Sequence, residues 1–146
     1  DYPINASLNM EIPLSFIAKN LTFMDTNEVN ITNRDDLEVD QLFITIKNGL
    51  PLDANLKLIL IDNQNMVVDT LLGNTSISAA ITDANNIVTQ KNTTSIQMDY
   101  TNFDNVKKLI SIASFNSITD GEFISVYSDY EIEITMSAKF RKIIGE

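Results

Sequence analysis

The chain has 146 residues, 44% of them hydrophobic and 21% charged, the balance of one soluble globular domain rather than a disordered or membrane-spanning segment. Ten basic residues against twenty acidic ones give a net charge of −10, which repels phosphate backbones and argues against general nucleic-acid binding. His, Cys and Trp are absent, so histidine-dependent triads, cysteine nucleophiles, disulfides and His/Cys zinc sites are excluded together.

The dominant period along the chain is two. At the start, Ile4, Ala6, Leu8, Met10, Ile12, Leu14, Phe16 and Ala18 alternate with a mostly polar set, which predicts a long half-buried strand over 4–18. Pro13 cannot donate to a ladder and is expected at a sheet edge or bulge. Leu37 and Val39 are out of phase with Leu42, Ile44 and Ile46, which predicts a bulge near Asp40-Gln41. Asn48-Gly49-Leu50-Pro51 ends that strand. Leu56, Leu58 and Leu60 open the next, and Ile59 and Ile61 make its end apolar on both faces. Asp62-Asn63-Gln64-Asn65 is a hairpin turn, since Asn and Asp tolerate left-handed backbone and bond their own main chain.

The chain returns over Met66–Leu72, and Gly73-Asn74 is expected to break it. Ile77, Ala79 and Ile81 predict another strand, followed by a turn at Asp83-Ala84-Asn85-Asn86 and alternation again at Ile96, Met98 and Tyr100. Over 102–110, Phe103, Val106 and Ile110 share a helical face, with Asp104 at the positive end and Lys107-Lys108 at the negative end, predicting one short helix. Extended structure resumes over Ile110–Phe115 and Phe123–Tyr127, with Asp120-Gly121 between. Finally, Tyr130, Ile132, Ile134, Met136, Ala138 and Phe140 face one way, and Glu131, Glu133, Thr135, Ser137, Lys139 and Arg141 the other. Nine or ten strands with one dry face each predict an all-β, two-sheet antiparallel β-sandwich over 1–146, with Leu58 and Ile134 central to its core.

Two acidic groups are the candidate chemistry. Asp36, Glu38 and Asp40 share a strand face and could offer oxygens to Ca²⁺, but no Asp-x-Asp-x-Asp-Gly loop accompanies them. Glu131 and Glu133 could form a glycosidase-type carboxylate pair, yet sugar clefts use aromatic platforms and this chain has no Trp and four Tyr. Both groups read as solvated strand faces. No Gly-rich phosphate loop, Ser-x-x-Lys or Gly-x-Ser-x-Gly is present. No catalytic, cofactor-binding or metal residue is therefore assigned. Asn-x-Ser/Thr triplets begin at Asn5, Asn20, Asn30, Asn74 and Asn92, but a chain with 17 Asn produces such matches by chance.

Lys47-Asn48-Gly49-Leu50-Pro51-Leu52 with the following strand, Val68-Asp69-Thr70-Leu71, the Ala79-Ala80 pair and Tyr127-Ser128-Asp129-Tyr130 together resemble a recurring domain of uncharacterised cell-surface lipoproteins of Bacteroidota, over roughly residues 10 to 140. These are turn and core signatures. The resemblance implies export, a β-sandwich and a surface or periplasmic, outer-membrane-associated setting, with any lipobox Cys upstream, and it implies no reaction. Asp69-Thr70-Leu71 also looks like the O-glycan acceptor of that phylum. The turn strand further resembles the late-embryogenesis-abundant sandwich, and an immunoglobulin-like arrangement is the other form expected.

The chain opens on Asp1-Tyr2-Pro3 without a basic leader or apolar h-region, as expected of a piece of a longer exported protein or of one whose signal has been removed. No apolar run reaches the ~20 residues of a membrane helix. The expected function is a noncatalytic module for adhesion, assembly or spacing, with another cell-envelope protein or a surface glycan as partner and no cofactor. The alternative is a binding domain for a lipid or other apolar ligand, with Ile17, Ile59, Ile61 and Ile143-Ile144 lining an opening. A dry cavity of ~300 Å³ or more favours the alternative.

Overall fold

Alternating apolar and polar residues leave most of this chain no way to bury its hydrophobic groups except as sheet. The computed structural model describes residues 14–29, 37–99, 105–116 and 123–142. In chain order they form β1 (Leu14–Phe16), β2 (Leu21–Glu28), β3 (Leu37–Asn48), β4 (Asp53–Ile61), β5 (Val67–Ile77), β6 (Ile81–Thr82), β7 (Val88–Gln90), β8 (Asn92–Asp99), β9 (Lys108–Asn116), β10 (Ile124–Val126) and β11 (Ile132–Lys142). All pairings are antiparallel, in a four-stranded sheet β2-β9-β4-β5, a three-stranded sheet β11-β3-β8 and two small ribbons, β1-β10 and β6-β7.

The two larger sheets share one core. β3 contributes Val39, Leu42, Ile44 and Ile46, and β4 contributes Ala54, Leu56, Leu58 and Leu60. Ala18, Leu52, Leu72, Ile77, Val106, Leu109 and Phe115 complete the buried cluster. Val39 and Leu42 differ in parity yet both point inward. The expected bulge explains this: Gln41 lies opposite Lys139 and Val39 opposite Phe140, leaving Asp40 as the extra residue. The architecture is thus all-β, with antiparallel sheets packed as a sandwich.

Both expected Asx turns are present and use the same device. Asp62 Oδ1 accepts from the Gln64 and Met66 N–H groups, each at 2.8 Å, and Asp83 Oδ1 accepts from those of Asn85 and Ile87, each at 2.9 Å. Asn65 and Asn86 take the left-handed position that each turn requires, at φ 62° and 61°. The Ile87 and Asn85 amides hold the Asp83 carboxyl below the usual carboxylate range.

A third junction is built on a buried side chain. Asn48 is fully buried; its Nδ2 donates to the carbonyls of Leu52 (2.8 Å) and Ser78 (3.0 Å), and its Oδ1 accepts from Leu50 N–H (3.0 Å). Beside it, Asn92 Nδ2 donates to the Ala79 carbonyl at 3.2 Å, and Ala80 N–H donates to Leu50 at 2.9 Å. Gly49 N–H reaches the Glu131 carbonyl at 2.9 Å, and a Cβ on Gly49 would sit 2.9 Å from that same oxygen, so the close approach requires glycine. The turn, the Ala79-Ala80 pair and the entry to β11 are therefore one hydrogen-bonded knot.

Several expectations need correction. Among the described residues no helix occurs, and the described part of the 102–110 segment is a turn leading into β9. Asn105 has φ 69°, Lys107 N–H donates to Ile61 and its carbonyl accepts from Val29 N–H, both at 2.8 Å, so sheet-type bonds to two neighbouring strands take the groups a helix would use. Gly73-Asn74 does not break a strand. β5 runs through it to Ile77, with Asn74 as an extra residue at φ 147° and further register shifts at Leu71 and Val68. Ile77, Ala79 and Ile81 accordingly do not share one strand.

Leu14 and Phe140, expected inward, are 66% and 43% exposed; Leu14 lies on a short ribbon and Phe140 pairs with Val39 just past the bulge at Asp40 of β3. Ile134 is only half-buried against the core, because β11 ends its sheet. Of the expected 4–18 strand, the described part is strand only over Leu14–Phe16, with Ile17 and Ala18 outside it; residues 4–13, the start of the acidic run at Asp35-Asp36, Tyr100, Phe103-Asp104, Asp120-Gly121 and Ile143-Ile144 lie outside the described residues.

Two stability outcomes follow. Leu58→Ala should lower the unfolding free energy by about 2–5 kcal/mol, and Ile134→Ala by clearly less, in chemical denaturation. Equal losses would place Ile134 in the centre of the core. Asn48→Ala removes both amide donors and the acceptor inside the protein and should cost at least about 1–3 kcal/mol. A denaturation midpoint unchanged from wild type would show that the knot carries no weight.

Candidate binding cleft

Among the described residues, a three-stranded sheet covering a four-stranded one leaves one side of the sandwich open. The opening is a cleft of about 750 Å³ between the edge strands β2 and β11. Its floor is the inward face of β9 (Leu109, Ser111, Ala113 and Phe115) with Phe23 of β2, and its opposite wall is Ile132, Ile134 and Met136 of β11. Phe23 packs edge-to-face on Phe115, with centroids 5.7 Å apart, while remaining 57% exposed. Met24 beside it is 70% exposed. At one end, Leu50 and Tyr130 bring the Asn48 knot to the cleft, with the Tyr130 hydroxyl accepting from Val88 N–H at 3.0 Å. Asp25 and Glu28 supply the charge at its margins, and among the described residues no Lys or Arg lines it.

The carboxylates singled out by sequence lie on the other, outer face of β11. Glu133 pairs with Lys47 at 3.2 Å and Glu131 with Lys91 at 2.7 Å. Farther along, Lys139 meets Asp40 at 3.9 Å and Arg141 bonds Glu38 at 2.8 Å. The acidic residues of β3 and β11 are therefore consumed in a cross-strand ladder, an arrangement that neutralises neighbouring strands. Lys91 holds the Glu131 carboxyl below its ordinary range, and Glu131 raises the Lys91 ammonium in return. Asp36 lies outside the described residues, and among the described residues no cluster of three or more acidic side chains is placed to hold a metal ion.

None of the described apolar residues expected to line an opening lines this cleft. Ile17 is exposed, Ile59 is half-buried, Ile61 is buried, and Ile143-Ile144 lie outside the described residues. Phe23, Met24 and the whole of β2 were not read from the sequence. The alternation of Leu21 and Phe23 is the only signal there, and Asp25-Thr26-Asn27-Glu28 cuts it short. Asp69-Thr70-Leu71 lies on β5, with Asp69 Oδ1 accepting from Thr70 N–H at 2.7 Å and Thr70 exposed.

No protein-family model matches the chain, and no curated protein sequence does. Among solved structures, it is similar to a structure of infectious bursal disease virus, Gx strain, with TM-score 0.47, 7% identity and 90% of this chain covered. It is also similar to the crystal structure of the infectious bursal disease virus VP2 subviral particle, with TM-score 0.45, 11% identity and 90% covered. The chain spans 30% of the length of either viral chain. Overlap this slight carries no argument about fold or function. No helix among the described residues is long and apolar enough to cross a membrane.

The ladder has a pH signature. With its folded value depressed, Glu131 contributes stability above the carboxylate's unfolded range, and that contribution is lost as pH falls through the depressed value. Lys91→Ala should therefore move the Glu131 carboxyl titration, followed by NMR, upward toward the ordinary range. An unmoved midpoint would show that the ion pair is not formed in solution.

Proposed function

We propose that this chain is a noncatalytic β-sandwich module of an exported protein, immunoglobulin-like or late-embryogenesis-abundant-like in its finer arrangement. It sits at the cell surface or in the periplasm, where it serves adhesion, assembly or spacing against another cell-envelope protein or a surface glycan. The observation that supports this reading is the state of Glu131 and Glu133. A general acid must hold its proton near working pH, which requires a raised pKa in a dry site. Glu131 is instead exposed, ion-paired and pushed downward, and Glu133 is tied to Lys47 on the outer face. With no His to move protons, the side chains on this face are suited to contact rather than turnover.

The cleft favours a second reading, in which an apolar ligand such as a lipid or acyl chain is bound. Its volume lies within the range of small-molecule sites, and its walls are largely aliphatic and aromatic. The acidic margin selects a neutral or cationic headgroup over a free carboxylate.

The purified chain should hydrolyse aryl glycosides and esters no faster than buffer and should be retained on cell-envelope fractions. Turnover abolished by Glu131→Gln or Glu133→Gln would overturn the noncatalytic reading. Saturable binding of a neutral fluorescent acyl probe, lost in Ile134→Asp, would establish the second reading in its place.

A further inference from the structure

Asn48-Gly49 is the only Asn-Gly step in the chain. In an open chain such a step carries a reaction of its own. Glycine has no side chain to obstruct it, so its nitrogen reaches the asparagine Cγ and closes a cyclic imide. The Gly49 N–Cγ bond forms and the Cγ–Nδ2 bond breaks. The Gly49 amide proton passes to solvent, and the side-chain nitrogen takes up a proton and leaves as ammonia. Water then opens the ring at either carbonyl, giving aspartate or isoaspartate at 48. Water is the only co-reactant. The fold restrains every participant. Gly49 N–H is committed to the Glu131 carbonyl at 2.9 Å. The Asn48 amide is pinned by Leu52 (2.8 Å), Ser78 (3.0 Å) and Leu50 (3.0 Å), and cannot turn its Cγ toward Gly49 without breaking those bonds. Asn48 and Gly49 are both buried, which keeps water from the leaving group.

We propose that Asn48-Gly49 is a modification site gated by folding: inert in the native sandwich, it deamidates when the knot opens, and the product cannot rebuild the knot. Aspartate at 48 offers only acceptors where Leu52 and Ser78 present carbonyls, so both are left without a donor. Isoaspartate lengthens the main chain by a methylene between Asn48 Cα and Gly49. That shifts Gly49 against the Glu131 carbonyl, where even a Cβ would sit too close at 2.9 Å. Opening of this junction thus becomes irreversible, and residue 48 records the time that the chain has spent unfolded. None of this depends on where the protein works or on what it binds.

The test uses the full wild-type chain at mildly alkaline pH, either native or held in urea, with conversion at each asparagine followed by peptide mass mapping. In urea, Asn48 should convert faster than every other asparagine. In the native protein its conversion should be at least about a hundredfold slower, because only the opened fraction reacts. A smaller ratio, or another asparagine converting first in urea, would overturn the proposal. The second readout is recovery. On dilution from urea, chains converted at 48 should stay unfolded or refold with a lowered denaturation midpoint, while unconverted chains regain the native one. Converted chains that refold with the wild-type midpoint would overturn the claim that the product cannot rebuild the knot. Should unconverted chains also fail to recover, Asn48→Asp decides that point: it should be unfolded or have a lowered midpoint, and a wild-type midpoint would overturn it.

Discussion

The buried amide of Asn48 is the interaction on which the arrangement of the sheets depends. The chain passes there from the three-stranded sheet into the four-stranded one, and at that crossing two carbonyls and one N–H are left without ladder partners. Buried main-chain groups in that state are costly, and only a side chain with two donors and an acceptor in one plane satisfies all three. Aspartate would set a carboxylate against two carbonyls, and leucine would leave every group unmet. Because the same turn is bonded to Ala80 and to the start of β11, fixing it fixes three separated stretches of chain at one end of the sandwich.

Period-two patterning made the central strands legible, and so did turn chemistry. The bulge at Asp40, the two Asx turns and the inward set of Ile132, Ile134, Met136 and Ala138 all follow from local rules that tertiary contacts then reinforced. The failures have equally local causes. The spacing of Phe103, Val106 and Ile110 satisfies a helix, but β4 and β2 claim the backbone groups around Lys107. Gly73-Asn74 carries a turn signature, yet a left-handed residue in an outer strand also makes a bulge. The cleft was invisible to sequence because it is a property of sheet widths: nothing in Phe23 or Met136 alone announces that the described strands leave a gap between them.

The two faces of β11 divide the chemistry of the molecule. Outward, alternating carboxylates and cations cancel across neighbouring strands, which leaves little free charge there for proton transfer. Inward, aliphatic side chains meet the cleft. A strand so divided presents a screened polar wall to solvent and a sticky wall to whatever enters from the side.

The register of β5 bears on how copies of the protein could meet. A sheet that propagates from molecule to molecule needs two receptive borders, one to join the previous copy and one to accept the next. β5 forms one border of the four-stranded sheet, and its extra residues Val68, Leu71 and Asn74 interrupt the regular spacing of its main-chain groups about every third position. A straight strand cannot match that row. Among the described residues, the regular edge of this sheet is that of β2 alone, and pairing through one such edge closes at two copies.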